Sequence, residues 1–201
     1  MPVSPQLHIV RFRPRRAEAD DLTRRRLLPT LSASQGAQDV IAGRRGHDEL
    51  DERILVSVWS PNGPPESGVV DPRLDDLIAE LDVTDVRSEY LALRVRRHNP
   101  TPSPQRLLRV FRGKVRHGEL DRYVAEVEDG VAADIAAGTG PVNLFLGAPE
   151  ADADAFVTVS TWPDWSTIEA ATGGDVRQPV ATRHPERLVE ADVAHFEVIG
   201  M

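Results

Sequence analysis

Two short stretches of the chain are nearly identical: VSVWSP, at Val56–Pro61, and TVSTWP, at Thr158–Pro163. Each is rich in strand-forming residues and ends in tryptophan, followed by a turn that contains proline. The two stretches lie about half the length of the 201-residue chain apart, which is the spacing expected of an internal duplication. The halves of the chain can therefore be aligned on Trp59 and Trp162.

Both halves predict the same order of elements. In the second half, the extended run RLLRVFRGKV precedes a helix whose apolar residues, from Leu120 to Ile135, fall at helical spacing. A further strand, the quoted strand and a short helix beginning WSTIEAAT follow, and the strand VAHFEVIG closes the unit. This order, β-α-β-β-α-β, is that of the ferredoxin-like motif.

The helices are less regular than the strands. In the first half, Pro29 should kink the first helix or end it early, because proline cannot donate a backbone hydrogen bond. The second helix of that half is predicted within DPRLDDLIAEL, residues 71–81. In the second half, Ser166 and Glu169 are predicted to form a capping box at the start of the short helix. Trp165 would serve there as a hydrophobic staple or as a pocket lid.

The predicted fold class is therefore α+β, with two tandem ferredoxin-like units. The first unit covers residues 1–98 and the second covers 106–201, and the proline-rich stretch 99–105 between them is expected to be an extended linker. Helices cover only one face of such a sheet, and leaving the other apolar face in water costs about 25 cal/mol per Å². The two bare faces are expected to pack sheet to sheet, which gives an intramolecular dimeric α/β barrel, a pseudo-dimer.

Side-chain alternation along the strands predicts which residues share a face. The interior between the sheets is expected to hold Trp59 and Trp162, with Ser57 and Ser160 pointing the same way. The residue between each serine and its tryptophan would then face the helices.

The first strands of the two halves can be compared in the same way. The alignment matches Phe12 with Phe111, and His8 is expected on the side that faces the helices.

The composition argues against several classes of function. The net charge is −8, from 24 lysines and arginines against 32 acidic residues, which disfavours nucleic-acid binding because that needs a basic surface. The chain has no cysteine, so disulfides, thiolate metal sites and cysteine nucleophiles are excluded. No apolar run approaches the ~18 residues of a membrane span, and no histidine pair has the spacing of a metal site. We expect a cytoplasmic protein without a metal or another cofactor.

The third strands, LVSVWS and TVSTWPDWSTIEAA with its short helix, resemble those of the dimeric α/β-barrel superfamily, in particular the antibiotic-biosynthesis-monooxygenase (ABM) type. The resemblance covers roughly residues 6–98 and 106–200 and implies two family domains fused in one chain. The family includes cofactor-independent quinone-forming monooxygenases and haem-degrading monooxygenases. Its tryptophan at this strand end lines a pocket between sheet and helices, which makes Trp59 and Trp162 pocket candidates.

Haem-degrading members of the family also have a histidine on the helix soon after this tryptophan and an asparagine on the first strand. The present chain has Val69 and Thr172 where the histidine would be, and Arg11 and Val110 near the centres of its first strands. Haem ligation and haem degradation are therefore not expected.

Six residues are candidate ligand contacts: Trp162, Ser160, Asn143, Trp59, Ser57 and Arg11. The tryptophans would either stack on a flat aromatic molecule or fill the core. Asn143, whose counterpart is Asp39, is expected in the shared interior, where it would hold a substrate carbonyl or a peroxide, or satisfy a loop carbonyl. Arg11 and Arg109 would stabilise a phenolate or an enolate, or form structural ion pairs.

Two interpretations of function remain open at this point. The first is a cofactor-independent monooxygenase that acts on an aromatic, polyketide-type small molecule in a pocket of the second half, lined by Trp162, Ser160 and Asn143. The alternative is a non-catalytic small-molecule binding protein or scaffold on the same barrel. In either case the expected partner is an aromatic small molecule, and further pairing into a homodimer is left open.

Overall fold

The structure is a computed structural model that describes residues 5–16, 18–45, 52–61, 79–178 and 185–200. Within these ranges the fold is α+β, with eight strands, few helices and antiparallel strand pairing. The strands are β1 (Gln6–Pro14), β2 (Ala37–Arg44), β3 (Arg53–Trp59), β4 (Val83–His98), β5 (Leu107–Val115), β6 (Asn143–Ala148), β7 (Ala155–Trp162) and β8 (Leu188–Val198). The helices are α1 (Ala19–Leu22), α2 (Leu28–Ser32), α3 (Leu120–Ala136) and α4 (Trp165–Thr172), with a π-helical turn at Thr23–Leu27 and a 3-10 turn at Pro185–Arg187.

The chain divides into two compact units. The first consists of residues 1–91 with 196–201, and the second of residues 92–195. The stretch 99–105, predicted to be a linker, is neither helix nor strand. These units are defined by compactness, and the repeat boundaries predicted from the sequence, 1–98 and 106–201, stay a prediction.

In the first unit, β3 lies between β1 and β2 and pairs with both strands, and β2 also pairs with the end of β8. One side of these strands packs against the helical segment between Ala19 and Ser32. The strand residues of this core are Val10, Phe12, Ala42, Leu55 and Trp59, and the helical ones are Ala19, Leu27, Leu28 and Leu31. In this core, every second residue of the strands packs against the apolar stripe of the helical segment.

The first helical segment continues through Pro29. The α1 helix, the π-helical turn Thr23–Leu27 and α2 follow one another without a break as far as Ser32. Because Pro29 has no N–H to offer the carbonyl four residues earlier, the ladder is interrupted, and the turn directly before it is the wider π type. Pro29 therefore alters the helix without ending it. Most of the second helix predicted for this half, residues 71–78, lies outside the described residues.

In the second unit the strand order is β4, β6, β7 and β5, and α3 covers one side of the sheet. The predicted apolar stripe of α3 is confirmed, because its buried residues are the ones that pack against the strands. These are Leu120, Tyr123, Val124, Val127 and Val131.

The short helix α4 begins differently from the prediction. Its N-cap is Asp164, whose Oδ1 accepts a hydrogen bond from the Thr167 backbone N–H at 2.8 Å, so the capping box of Ser166 and Glu169 was wrong. Trp165 is the first helical residue and is 44% exposed, which does not fit a staple residue placed before the cap. The predicted end of the helix is confirmed at Gly173, which has a φ of 70°.

Gly113 is expected to be required for packing in the second unit. A Cβ atom at this position would lie 2.8 Å from the Phe156 ring and 2.9 Å from the Glu190 carbonyl oxygen. The Gly113→Ala variant should therefore lower the free energy of unfolding by about 1–3 kcal/mol, measured by urea denaturation. Gly200→Ala is the matched control, because no atom lies within 4 Å of the added methyl and its effect should stay within about 0.5 kcal/mol. Equal effects of the two substitutions would contradict this account.

Candidate functional site

Both tryptophans of the repeated motif pack on the helix side of their strands. Trp59 belongs to the core that includes Leu28 and Leu31, and Trp162 packs with Ile168 of α4. The prediction that the tryptophans face an interior between the sheets was therefore wrong. Strand alternation fixes which residues share a face, but it does not say which face the helices cover.

The serines of the motif share this face, as predicted, and each binds its tryptophan. The indole Nε1–H of Trp59 donates to Ser57 Oγ at 2.9 Å, and that of Trp162 donates to Ser160 Oγ at 2.8 Å. A buried indole N–H needs an acceptor, and a hydroxyl two residues earlier on the same strand supplies one.

The residues between serine and tryptophan, Val58 and Thr161, lie on the opposite face. They were predicted to face the helices, and this prediction was wrong for the same reason as for the tryptophans.

Strand pairing identifies a second pair of equivalent residues, one beside the serine of each unit. His8 of β1 lies opposite Ser57, and Arg109 of β5 lies opposite Ser160. His8 and Arg109 are thus counterparts in the two units, and Phe111 corresponds to Val10. The alignment of Phe12 with Phe111 was therefore wrong by two residues. An alignment of the first strands through their pairing with Ser57 and Ser160 would have matched His8 with Arg109, whereas the match of the two phenylalanines shifted the alignment.

Arg109 is the most deeply buried charged group of this site, at 2% exposure. Its Nη2 donates to the carbonyl oxygen of Val176 at 2.9 Å and also to that of Gln178, and its guanidinium lies 5.6 Å from the centre of the Phe111 ring. Burial lowers the pKa of Arg109 from 12.5 to about 10, against weaker opposing effects of Tyr123 and Asp175. The guanidinium therefore keeps its charge at neutral pH.

Arg187 shows how another buried arginine in the same unit is compensated. At 8% exposure, its Nη1 donates to Glu126 at 2.7 Å and its Nε lies 3.6 Å from Glu119. Arg109 has no such carboxylate bond to any residue within the described ranges. Its charge is held by main-chain dipoles and an aromatic ring.

A small cavity of about 10 Å³ lies beside Arg109, between the sheet and α3. It is lined by Arg109, Phe111, Tyr123, Val127, Leu144, Thr158 and Ser160. This volume is that of about one water molecule. The cationic and hydroxyl groups among the lining residues are hydrogen-bond donors of the kind that stabilise an oxyanion.

His8 forms the corresponding site of the first unit. Its Nε2 lies 2.8 Å from Ser88 Oγ, and its ring stacks on Tyr90 at a centroid distance of 4.1 Å with an interplanar angle of 2°. Burial lowers the pKa of His8 to about 4, with Glu89 opposing the shift. His8 lies on the helix-facing side, as predicted, because it shares the parity of Val10.

Asn143 does not belong to the same site as Trp162 and Ser160. Its neighbour Leu144 lines the cavity with Ser160, so Asn143 lies on the other face of the strand. There Asn143 Nδ2 donates to Thr161 Oγ1 at 3.0 Å, and Asn143 Oδ1 lies 2.6 Å from His98 Nδ1. The three-residue pocket predicted from the sequence was therefore wrong, although strand pairing confirms Asp39 as the counterpart of Asn143.

Arg11 likewise lies on the face turned away from the helices, since it alternates with Val10 and Phe12. Its Nη1 is 3.8 Å from Glu52 Oε1, and its guanidinium is 5.8 Å from the centre of the Phe196 ring. These contacts are those of the structural ion pair that was one of the two interpretations of this residue.

A larger, open groove of about 390 Å³ lies elsewhere in the second unit, at the start of α3. His117 and Asp154 line it, with His117 Nδ1 2.9 Å from Asp154 Oδ2. The groove holds none of the six residues predicted to contact a ligand.

Two further features are absent from the described part of the chain. No helix there is long and apolar enough to cross a membrane. No group of three or more histidine and acidic residues in the same ranges is arranged to hold a metal ion.

Solved structures with the same fold carry names that point to oxidation chemistry. A Fusobacterium nucleatum protein named "putative monooxygenase" matches at a TM-score of 0.75 with 11% identity, over 99% of this chain and 94% of that one. A Lactobacillus acidophilus protein with the same name matches at 0.70 and 11% identity, over 98% and 94%. An anthrone oxidase-like protein matches at 0.56 and 10% identity, over 97% and 91%. Chlorite dismutases are also among the matching structures.

Sequence comparison adds no family to this structural similarity. No family model matches the chain, and no curated protein matches it. At about 10% identity the structural matches establish the fold alone.

The buried His8 is expected to make the stability of the protein sensitive to acid. Between pH 6.5 and about 4 the unfolded chain protonates this histidine while the folded chain does not, so the free energy of unfolding falls as the pH drops through this window. We expect this residue to account for a loss of roughly 2–3 kcal/mol between pH 7 and 4.5, and His8→Gln to lack it. Urea denaturation at the two pH values measures the difference.

His117→Gln is the control for this experiment. The pKa of His117 is raised by its hydrogen bond to Asp154 at the surface, so its removal should not reduce the loss on acidification. The account of His8 would be refuted if His8→Gln and the unsubstituted protein lost equal stability between the two pH values.

Proposed function

We propose that this protein is a monooxygenase-like enzyme that oxidises an aromatic small molecule at the sheet–helix site of the second unit. The observation that carries the proposal is the buried guanidinium of Arg109, which has no hydrogen bond to a carboxylate of the described residues and lies beside the hydroxyl-bearing Ser160, Thr158 and Tyr123. A core that served packing alone would favour apolar residues there, because a buried charge is costly. The names of the structural neighbours support the same class of reaction.

The residues of this site suit a reaction that passes through an oxyanion. A phenol or enol that has given its proton to the solvent carries negative charge on oxygen, and Arg109 with the Ser160 hydroxyl would stabilise that charge. The apolar wall of Phe111, Val127 and Leu144 would keep water away, which strengthens the electrostatic interaction. Trp162 is fully buried beside Ser160 and would hold the serine hydroxyl in place through its indole N–H.

The proposed reaction uses molecular oxygen and the reactivity of the substrate itself. The stabilised anion is rich in electrons at a ring carbon, which would react with O2 directly. For a ring CH2 group, two C–H bonds are lost, one oxygen atom becomes the carbonyl oxygen, and the other leaves as water with the two hydrogens. The four electrons released by the carbon reduce one O2, so no further cofactor is needed in this scheme.

The two units differ in how suitable they are for this reaction. In the first unit the counterpart of Arg109 is His8, which is neutral at pH 7 because burial lowers its pKa to about 4. A neutral imidazole stabilises an oxyanion less than a guanidinium does. We therefore assign the oxidation to the second unit and a structural role to the first.

We also propose that the chain consists of two tandem ABM-type domains that form an intramolecular pseudo-dimer. Support comes from the repeated serine–tryptophan hydrogen bond and from the equivalent positions of His8 and Arg109 across the strand pairs. Matches that span nearly the whole chain agree with this arrangement.

A non-catalytic binding or scaffold protein is the second candidate, and the cavity of only about 10 Å³ beside Arg109 favours the scaffold. Substrate pockets usually enclose about 300–1,000 Å³. An enzyme that uses the cavity beside Arg109 must therefore open it to admit a substrate, whereas a scaffold need not.

Oxygen uptake with anthrone and with a hydroxylated anthrone as trial substrates tests the proposal. We expect one O2 consumed per carbonyl formed, and a fall of about tenfold or more in kcat/KM for Trp162→Phe, because phenylalanine cannot donate to Ser160. Trp59→Phe is the matched control, since it removes the same hydrogen bond from the first unit and should change kcat/KM less than about twofold.

Circular dichroism and urea denaturation would establish that both variants fold. Equal losses of activity in the two variants would contradict the assignment to the second unit. A protein that binds these anthrones without consuming O2 would be a binding protein, and the proposed oxidation would be wrong.

A further inference from the structure

The site in the second unit contains a positive charge that no described carboxylate balances through a hydrogen bond. Arg109 donates to the carbonyl oxygens of Val176 and Gln178, whereas Arg187 is bonded to Glu126. Carbonyl oxygens satisfy the N–H groups but carry no net charge, and Asp175 offsets the positive charge of Arg109 only through space, without a hydrogen bond to it. An anion is the kind of ligand that this charge would favour.

The two carbonyls come from one short segment, Asp175–Gln178, which we call the strap. The strap is held mainly by its own turn, in which Asp175 Oδ1 accepts from the Arg177 N–H at 3.0 Å and Asp175 O accepts from the Gln178 N–H at 2.9 Å. Its one apolar anchor is the half-buried Val176, which packs against the cluster that contains Trp162. Among the described residues, the apolar side-chain contact that holds the strap is therefore that of Val176.

The cavity beside Arg109 is too small for an organic molecule. It measures about 10 Å³, and α3 and the strands that form its walls are packed in a continuous core. A ligand can reach the guanidinium only if part of this site moves. No strap residue is fully buried, and Arg177 and Gln178 are exposed, whereas α3 and the strands contribute fully buried residues to the core. Exposed segments of this kind open at low cost in free energy.

The residues that line the cavity can donate hydrogen bonds but include no carboxylate and no imidazole. The site therefore lacks an ordinary general base at the position where the ligand would bind. A ligand suited to it is one that has already lost its proton in solution.

We propose that this site binds an aromatic oxyanion, a carboxylate or an acidic phenol, whose oxygen atoms replace the strap carbonyls on Arg109 and displace the strap. The inference rests on the proposed function, because it names the substrate class and the opening movement for the same site. The partners of the Arg109 guanidinium would thus be exchanged. In the closed form, with the strap in place, it donates to main-chain oxygens, and in the open form, with the strap displaced, it donates to the oxygens of the ligand.

The test compares 2-naphthoate with 2-naphthylmethanol, a neutral probe of similar shape, under nitrogen so that no oxidation occurs. We expect isothermal titration calorimetry to give about tenfold tighter binding of the anion, which corresponds to about 1.4 kcal/mol, because a hydrogen bond between two charged groups is roughly twice as strong as a neutral one. Arg109→Gln should abolish the preference. Arg122→Gln, which removes an exposed arginine from α3, is the matched control and should retain it.

Hydrogen–deuterium exchange provides a readout of the movement. The amides of Arg177 and Gln178 are bonded to Asp175 within the strap, and Arg109 holds the same turn through the carbonyls of Val176 and Gln178. Release from Arg109 should loosen this turn, so both amides should exchange faster when 2-naphthoate is bound. Unchanged or slower exchange would show that the strap stays in place, and equal binding of the two probes or retained preference in Arg109→Gln would show that the guanidinium is not the anion site. Any of these results overturns the inference.

Val176→Ala gives a second test that keeps the guanidinium intact, should Arg109→Gln fail to fold. Removing part of the apolar anchor should weaken the closed form and tighten 2-naphthoate binding by about three- to fivefold. Unchanged or weaker binding in this variant would overturn the inference.

The binding tests and the oxidation tests fail separately. Anion binding without oxygen uptake would remove the proposed function and leave the exchange at Arg109 standing. Oxidation of neutral substrates by a protein that does not prefer the anion would support the proposed function and overturn the exchange at Arg109.

Discussion

A guanidinium that is taken out of water costs several kcal/mol unless its charge and its N–H groups find partners. In the second unit this constraint falls on Arg109, which is held by two main-chain carbonyls and the Phe111 ring. Much of the local structure follows from it. The segment after α4 must run close to β5 to supply the carbonyls, and the small space next to the guanidinium is lined by both polar and apolar side chains. The candidate site is the result of burying one charge in a core that is otherwise apolar.

The duplicated motif shows how one frame supports two different environments. In both units a strand ends in tryptophan, and its indole N–H is bonded to a serine two residues earlier. The neighbouring strand places His8 opposite one serine and Arg109 opposite the other. Burial acts on both in the same direction, disfavouring the charged form, yet it neutralises only the histidine because the ordinary pKa of arginine is so much higher. A single difference at one position thus gives one neutral and one cationic site.

The strands and helices could be predicted largely from the sequence, because alternation and helical spacing are local properties. The stripe from Leu120 to Val131 forms the buried side of α3, and Gly173 ends α4, as predicted. The choice of face for Trp59 and Trp162 could not be predicted, since it depends on which side of the sheet the helices cover. The alternation pattern reads the same for either side.

Sequence reasoning placed the site on the wrong face of the sheet and found only part of its contents. Ser160 and Trp162 lie there together as expected, but Asn143 lies on the other face, where it is bonded to Thr161 and lies close to His98. The role of Arg109 depends on strand pairing with Ser160 and on a loop almost 70 residues further along the chain. Neither relation leaves a motif at fixed spacing in the sequence.

The carbonyl contacts of Arg109 also bear on how such a site persists through evolution. Every amino acid, including proline, carries a main-chain carbonyl oxygen, so the segment that binds the guanidinium is free to change its side chains as long as its backbone keeps its path. Sequence comparison does not detect contacts that are made by main-chain atoms, because all residues have these atoms. Main-chain contacts of this kind can therefore be kept between proteins that share few residues, and no sequence motif marks them.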